Sequence, residues 1–587
     1  MLRCSRLSVA ACFTLATLGV LDCSADNHHA GSAGSHASQT TAGHGGASGS
    51  AAQGSSGRAS GGAGNAGSGA SGRSGPALTP GDPGAHDVLF EIDSSKSVHP
   101  ISPYVYGTNQ GDFKTEAKGL TLARVGGNRL TAYNWETNAS NAGSDYMYEN
   151  DSYISSSKVA GEPMRQAVKA ASDAGASIIM TVPIAGWVSA DESGPCDAHP
   201  ASDAVIAQHF VPIVPKKGAA FAYPPDSADG KVYADEFVAW LEQQFPGAQT
   251  DATRRIFYML DNEPDLWSST HSEIFPKPLT YAALVQKSSD FAQAIKAAAP
   301  DALVFGPASY GWQGYVNLQG APDANQRDFL EFYLDAMKSA EQAGGKRLLD
   351  VLDVHWYPEA QGDGKRITDD GTSAGEVEAR LQAPRSLWDD TYTEMSWITQ
   401  SSTHAPIALI PRLQKKIADH YPGTKLSISE YFYGAGGDIS GGLAEVDALG
   451  IFGREQLFAA TTWFLGKNNG FVFGAFALYR NYDGQGATFL DTSIAATTSA
   501  TDKSSVYASV ASGDDGKLVV IALNKTNGAL KAAITISHGK KLAAADVYTL
   551  TSASPSPVKG TQLAQAATNA FNYTMPPRSA TTLVFHP

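Results

Sequence analysis

From about Asp87 to Tyr482 the chain alternates short apolar runs with longer stretches whose apolar residues recur at helical spacing. Eight runs read as strands: Pro103–Gly107, Thr121–Gly126, Ser177–Ile184, Arg255–Asn262, Ala302–Ala308, Leu349–Trp356, Lys425–Glu430 and Gly470–Leu478. Between them, Glu162–Ala174, Tyr233–Phe245, Thr280–Ala299, Gln326–Ala343, Ile407–His420 and Leu443–Leu465 read as amphipathic helices. In the third of these, Leu284, Phe291 and Ile295 share one face and Thr280 stands where an N-cap belongs. The first two strands have no comparably clear helix between them. Strands alternating with helices predict a parallel sheet, and eight units can close into a (β/α)8 TIM barrel. An open doubly wound sheet would carry a Gly-rich phosphate turn after its first strand, and Gly107-Thr108-Asn109 does not match one. The pattern therefore predicts an α/β chain with a barrel over residues 101–485.

Beyond Asp491 the pattern changes to short alternating runs separated by Gly, Asn, Asp and Ser: Val506–Ala511, Leu518–Asn524, Ala532–Ser537, Ala545–Leu550 and Thr581–Phe585. That pattern predicts a smaller antiparallel β-sandwich domain over residues 486–587. Val88–Ile92, ahead of the barrel, alternates in the same way, so residues 87–100 are expected to add a strand to it. The β-domain is expected to bury one flank of the barrel rather than to bind a ligand of its own.

Composition changes the picture mainly at the N-terminus. Arg3 and Arg6 precede an apolar stretch, Leu7 to Leu21, of signal-peptide length, so residues 1–23 read as an export signal and not as a membrane-spanning segment. Val20-Leu21-Asp22-Cys23 resembles a lipoprotein cleavage site with a poorly suited Asp22, which leaves lipid anchorage at Cys23 and ordinary cleavage nearby both open. Residues 24–86 are Gly, Ser, Ala and scattered His, too apolar-poor to offset their conformational entropy, and are expected to form a disordered linker. His28, His29, His36 and His44 read as spaced polar residues of that linker. The expectation is a secreted or cell-surface protein, and a monomer. With Cys4 and Cys12 lost with the signal, only Cys23, at its boundary, and Cys196 remain, too few for a disulfide framework or a thiolate zinc site. Asp and Glu outnumber Lys and Arg by 58 to 43, a net charge of −15 without a basic run, which argues against nucleic acid as a partner.

Functional side chains of a barrel gather where strands end. Two glutamates stand there: Glu263, in Asp261-Asn262-Glu263-Pro264 after the fourth strand, and Glu430, in Ser429-Glu430-Tyr431 at the end of the seventh. A pair of carboxyls at one barrel mouth can cleave a glycosidic bond, one protonating the leaving oxygen while the other stays ionised. Glu430 alone could equally cap a helix or pair with a lysine, whereas Glu263, between Asn262 and Pro264, is the more specific signal. Asn262 supplies an amide suited to a sugar hydroxyl. Indoles stack on pyranose faces, and Trp135, Trp187, Trp267, Trp312, Trp356 and Trp463 fall near strand ends, with Trp388 and Trp397 in the long loop before strand seven. Each alone fits the core equally well, but their accumulation predicts a long groove and internal cleavage. Asp261 and Asp265 are expected to be solvated or helix-capping carboxylates rather than a metal site. Arg124 is expected to brace the barrel, and Arg129 either to brace it or to line the cleft. No cofactor is expected. No loop has EF-hand spacing, and a structural Ca²⁺ elsewhere is left open.

Several segments together resemble glycoside hydrolase family 44, the endoglucanases and xyloglucanases, within the larger clan of retaining barrel glycosidases. They are Ile101-Ser102-Pro103-Tyr104-Val105-Tyr106-Gly107-Thr108-Asn109, Arg124-Val125-Gly126-Gly127-Asn128-Arg129, Tyr133-Asn134-Trp135-Glu136 and Asn141-Ala142-Gly143-Ser144-Asp145. Val214-Pro215-Lys216-Lys217-Gly218, Leu260-Asp261-Asn262-Glu263-Pro264, Asp353-Val354-His355-Trp356-Tyr357-Pro358, Leu387-Trp388-Asp389 and Ser429-Glu430-Tyr431 complete the set, which spans about Ile101 to Tyr482. The resemblance implies a retaining endo-β-1,4-glucanase or xyloglucanase acting on β-glucan. Glu263 would be the acid/base and Glu430 the nucleophile, with their carboxyls about 5–5.5 Å apart. It also implies that Asn262 meets the sugar 2-hydroxyl and that Tyr357 or His355 orients Glu430. Asn128, Arg129, Trp135, Trp187, Trp397 and Trp463 complete the candidate substrate contacts. Xylan, mannan or arabinosides as substrates, or a non-catalytic surface polysaccharide-binding protein, are the alternatives.

Overall fold

The computed structural model describes residues 77–587. The expected signal, Cys23 and nearly all of the expected linker lie outside the described residues. Among the described residues no helix is long and apolar enough to cross a membrane.

Eight parallel strands close the expected barrel: β1 (Gly107–Thr108), β2 (Leu122–Val125), β3 (Ser177–Val182), β4 (Ile256–Leu260), β5 (Val304–Ser309), β6 (Val351–Trp356), β7 (Lys425–Tyr431) and β8 (Ala459–Thr462), with β8 pairing back onto β1. Alternation along each strand sorts side chains into two cores. On β4, Ile256, Tyr258 and Leu260 face the helices, while Phe257 and Met259 join Leu122, Ile179, Phe305, Val351 and Ala459 inside. Tyr104 plugs the inner core, its ring edge-on to Phe257 at 5.0 Å. Closure depends on Gly107, because a Cβ there would lie 2.5 Å from the Ala460 carbonyl oxygen of β8.

The helices behind the strands start and stop where local chemistry dictates. Thr280 accepts from Ala283 N to cap Tyr281–Ala298. Phe329–Gly344 runs from the Asp328 cap to Gly345, left-handed at φ +69°.

One expected strand is a helix. Gly470–Leu478 forms the start of the helix Gly470–Arg480, and the eighth strand is Ala459–Thr462, inside what read as the helix Leu443–Leu465. That stretch instead holds the helix Ile439–Arg454 followed by β8. Gly470–Arg480 is apolar nearly all round because it is wedged between barrel and β-domain. Thr582 donates to its Leu478 carbonyl at 2.9 Å, and a Cβ on Gly474 would strike Pro555 O at 2.2 Å. An apolar run without amphipathic period does not distinguish helix from strand.

The β-domain contains Thr492–Thr498, Ser504–Ala511, Asp514–Asn524, Leu530–Ser537, Ala544–Thr551, Ser554–Lys559, Ala570–Met575 and Ser579–His586. Val88–Asp93 lies in the same sheet, antiparallel to Thr492–Thr498 and parallel to Leu530–Ser537, so the domain is not wholly antiparallel. Thr492–Thr498 pairs with Ser504–Ala511 through its first half and with Val88–Asp93 through its second, passing from one layer to the other. The layers meet over Phe90, Ile534, Leu583, Phe571 and Phe585, the last two rings 4.8 Å apart. Across the junction with the barrel, Lys525 pairs with Asp447 at 2.7 Å and the Tyr507 hydroxyl donates to the same carboxylate at 2.6 Å.

Candidate active site

Glu263 and Glu430 meet at the C-terminal mouth of the barrel because three breaks in regular geometry aim them there. By alternation Asp261 would follow Phe257 and Met259 inward. It is instead left-handed at φ +63°, which turns its carboxylate onto Thr131 Oγ1 (2.6 Å) and the Ile184 and Ala185 amides. Asn262 thereby reaches the barrel axis. Glu263 is also left-handed, at φ +40°, and its amide donates to Ala308 O at 3.0 Å. Such backbone costs about 1–3 kcal/mol per residue and gathers at functional sites. On β7 a bulge between Ile428 and Tyr431 breaks the period of two, so Ser429 and Glu430 both reach inward, Ser429 to Asp353 at 2.6 Å and Glu430 to Arg124.

The two carboxyls sit in unequal surroundings. Arg124 donates to Glu430 Oε1 at 2.6 Å, Tyr357 donates to Oε2 at 2.8 Å, and His355 Nδ1 stands 3.5 Å from Oε2. Burial pushes the Glu430 carboxyl up, but His355 and Arg124 outweigh it and hold the group below the usual carboxylate range. Glu263 has a single close partner, His355 Nδ1 at 2.8 Å. Burial, aided by the Glu430 charge, holds the Glu263 carboxyl above its ordinary value despite the imidazole. One oxygen of each carboxyl and the His355 nitrogen all lie within 4.8 Å of one another. Among the described residues this is the one His, Cys, Asp and Glu cluster tight enough to grip an ion. The Arg124 guanidinium already supplies positive charge at that point. A carboxyl with a raised titration beside one with a lowered titration, at this separation, is suited to two-step displacement at an acetal carbon, whereas inverting pairs stand about 6.5–9.5 Å apart.

Arg124 is the residue assigned elsewhere by its expected bracing role. It lies on the inner face of β2, bonds Asn262 Oδ1 (2.7 Å) and Asn109 Oδ1 (3.0 Å), and links both glutamate segments. A charged side chain at an inward strand position was the available signal. Asn262 donates to Asn128 Oδ1 at 3.1 Å, and Asn128 donates to Asp145 at 2.9 Å. Asn128, Asn262, His355 and Tyr357 thus gather around the pair, with His355 bonded to Glu263 and Tyr357 to Glu430. Trp463 follows β8 and lays its indole against Gly127, whose added Cβ would come 2.6 Å from the ring.

Other candidate residues lie away from the pair. Arg129 is buried and bonded to Asp151 (2.5 Å) and Ser140 (3.1 Å), its guanidinium over the Tyr153 ring, so it braces a loop. Trp135 is a core residue packed on Phe237 and Trp240. Trp267, Trp312 and Trp356 are buried as well, and Trp388 lies under Arg454 near the β-domain. The crowd of indoles at strand ends fills space behind the loops, where large side chains satisfy packing. Trp187 is half-buried against the outer core, and Trp397 is exposed in the loop between β6 and β7. Asp261 and Asp265 are buried rather than solvated. Asp265 accepts from Ser309 Oγ (2.8 Å) and Tyr310 N (3.1 Å), and burial pushes it up to about 7.

The model of glycoside hydrolase family 44 matches residues 139–360. The chain is 42% identical over 516 residues to endoglucanase A of Paenibacillus lautus, covering 84% of this chain and 72% of that one. A family 44 xyloglucanase from Paenibacillus polymyxa, solved with xyloglucan, is 39% identical with a TM-score of 0.81, over 85% of this chain and 99% of that chain. A family 44 endoglucanase from Clostridium thermocellum is 40% identical, also with a TM-score of 0.81, over 86% of this chain and 100% of that chain.

Proposed function

This chain belongs to glycoside hydrolase family 44, and from that membership we propose that it is a retaining endo-β-1,4-glucanase or xyloglucanase with Glu430 as nucleophile and Glu263 as acid/base. The observation that carries the assignment is the asymmetry of the pair. His355 and Arg124, with the Tyr357 hydroxyl, hold the Glu430 carboxyl below the ordinary range, while burial holds the Glu263 carboxyl above it. Glu263 gives its proton to the leaving oxygen as Glu430 bonds to the anomeric carbon. Once the covalent glycosyl-enzyme has formed, the ionised Glu263 takes a proton from water, which attacks the same carbon and releases Glu430. His355 holds one oxygen of Glu263 and leaves the other to face the leaving group. Asn262 has its oxygen on Arg124 and one amide hydrogen on Asn128, so its second amide hydrogen is free for the sugar 2-hydroxyl. The relatives' substrates and the apolar side chains exposed on mouth loops, Tyr146, Met147 and Trp397 among them, support an extended glucan as ligand. The Arg3-to-Leu21 pattern supports export.

The test is reducing-sugar release from carboxymethylcellulose and xyloglucan by wild type, Glu263→Gln and Glu430→Gln, with product anomers read by proton NMR. Activity with β-anomers formed first, lost by orders of magnitude in both variants, is expected. An active Glu430→Gln protein, or α-anomers formed first, would overturn the assignment.

A further inference from the structure

His271 lies outside the set of residues that meet the two glutamates, yet it stands one bond behind them. It follows the short helix Trp267–Thr270 and is fully buried, as is its partner Glu273. Its Nδ1 is 2.6 Å from Glu273 Oε1 and its Nε2 is 2.7 Å from the Asn128 carbonyl oxygen. A carbonyl can only accept, so Nε2 carries a hydrogen, and a second proton is held between Nδ1 and Glu273. A buried pair of this kind is a poor source of stability, because desolvating both groups offsets their attraction. Its placement suits orientation instead. Asn128 is gripped at its carbonyl by His271 and at its side-chain amide by Asp145, and its Oδ1 receives the Asn262 amide. Asn262 then has one orientation, with its oxygen on Arg124. Gly143 closes over the pair, since a Cβ there would meet Thr270 O at 1.9 Å and His271 Nδ1 at 3.0 Å.

We propose that His271, backed by Glu273, is a positioning residue for hydrolysis: it acts through Asn128 to aim the Asn262 amide at the substrate hydroxyl beside the reacting carbon. The inference rests on the reading of Asn262 given under Proposed function. A contact that strengthens only in the transition state appears in kcat rather than in KM.

Aryl β-cellobioside and its analogue lacking the 2-hydroxyl on the ring that is transferred are compared with wild type, Asn262→Ala, His271→Asn, His271→Gln, Glu273→Gln and the Asn262→Ala/His271→Asn double variant. On the ordinary substrate His271→Asn should lower kcat about 10- to 100-fold with KM nearly unchanged. His271→Gln, whose amide nitrogen falls where Nε2 stood, should recover much of the loss. On the 2-deoxy substrate the defect of His271→Asn should largely vanish, and the double variant should be about as slow as Asn262→Ala alone. Glu273→Gln, which keeps shape and volume, should show the same substrate dependence if His271→Asn yields little folded protein. Equal losses on both substrates, or losses that multiply in the double variant, would overturn the proposal while leaving Asn262 in its role. A fully active Asn262→Ala protein would remove that role and the proposal with it.

Discussion

Arg124 Nη1 and Glu430 Oε1 meet at 2.6 Å, the arginine side chain sealed from solvent and the glutamate nearly so. Together with His355, positive charge fixed at that distance holds the carboxyl below its ordinary range against the upward push of burial. Glu430 must be ionised to react, so the acid limb of kcat/KM follows its titration. Arg124→Gln removes that charge, and with it the fork that also holds Asn262 and Asn109. It is expected to lower kcat/KM by roughly 100- to 1000-fold and to move the acid limb to higher pH. An unmoved acid limb would refute this account of Glu430.

His355 touches both carboxyls and lowers the titration of each, while burial raises it. Removing the imidazole should therefore shift both groups upward. In His355→Phe the whole bell of kcat/KM against pH is expected to move alkaline, with a lower maximum. A shift of one limb alone would mean that His355 serves one glutamate rather than both.

Burial pushes the carboxyl of Asp265, two residues after Glu263, up to about 7 in the fold. Its folded value lies above the unfolded one, so its favourable contribution is complete below about pH 4 and is lost as pH rises through about 7. The shift corresponds to about 4 kcal/mol, as an order of magnitude. Asp265→Asn should flatten that alkaline loss, which thermal melts of both proteins between pH 4 and 8 would read. Parallel melting curves would rule it out.

Lys525 and Asp447 form an ion pair across the junction of barrel and β-domain, each side chain almost wholly buried. Lys525→Met strands the Asp447 charge and should cost about 3–5 kcal/mol, with kcat per folded molecule unchanged. The double variant Lys525→Met/Asp447→Leu should regain much of that loss. Chemical denaturation checks both, and an additive double variant would contradict the pairing.

The alternation of short apolar runs with helix-like stretches made β3, β4, β6 and β7 readable in the chain, and with them the strand ends that carry Glu263 and Glu430. It could not place β8, because Ala459-Ala460-Thr461-Thr462 is short and small where it closes on Gly107, while the apolar helix Gly470–Arg480 looks like the better strand. The site was legible as far as its local motifs run. Arg124 was missed because its partners Glu430 and Asn262 lie 306 and 138 residues away along the chain. Trp135 misled because an indole near a strand end looks the same from sequence whether it faces sugar or, as here, Phe237 and Trp240.

Val88–Asp93 is fixed between Thr492–Thr498 and Leu530–Ser537, and Leu89 bonds Ser499 across 410 residues of chain. During synthesis this strand therefore emerges long before either neighbour exists. At about 5–20 residues per second, Phe90 and Ile92 wait roughly 20–80 s for the surfaces that bury them. Throughout that time an unpaired apolar strand hangs from a barrel assembling behind it, and the nascent chain depends on solubility elsewhere until its last hundred residues arrive.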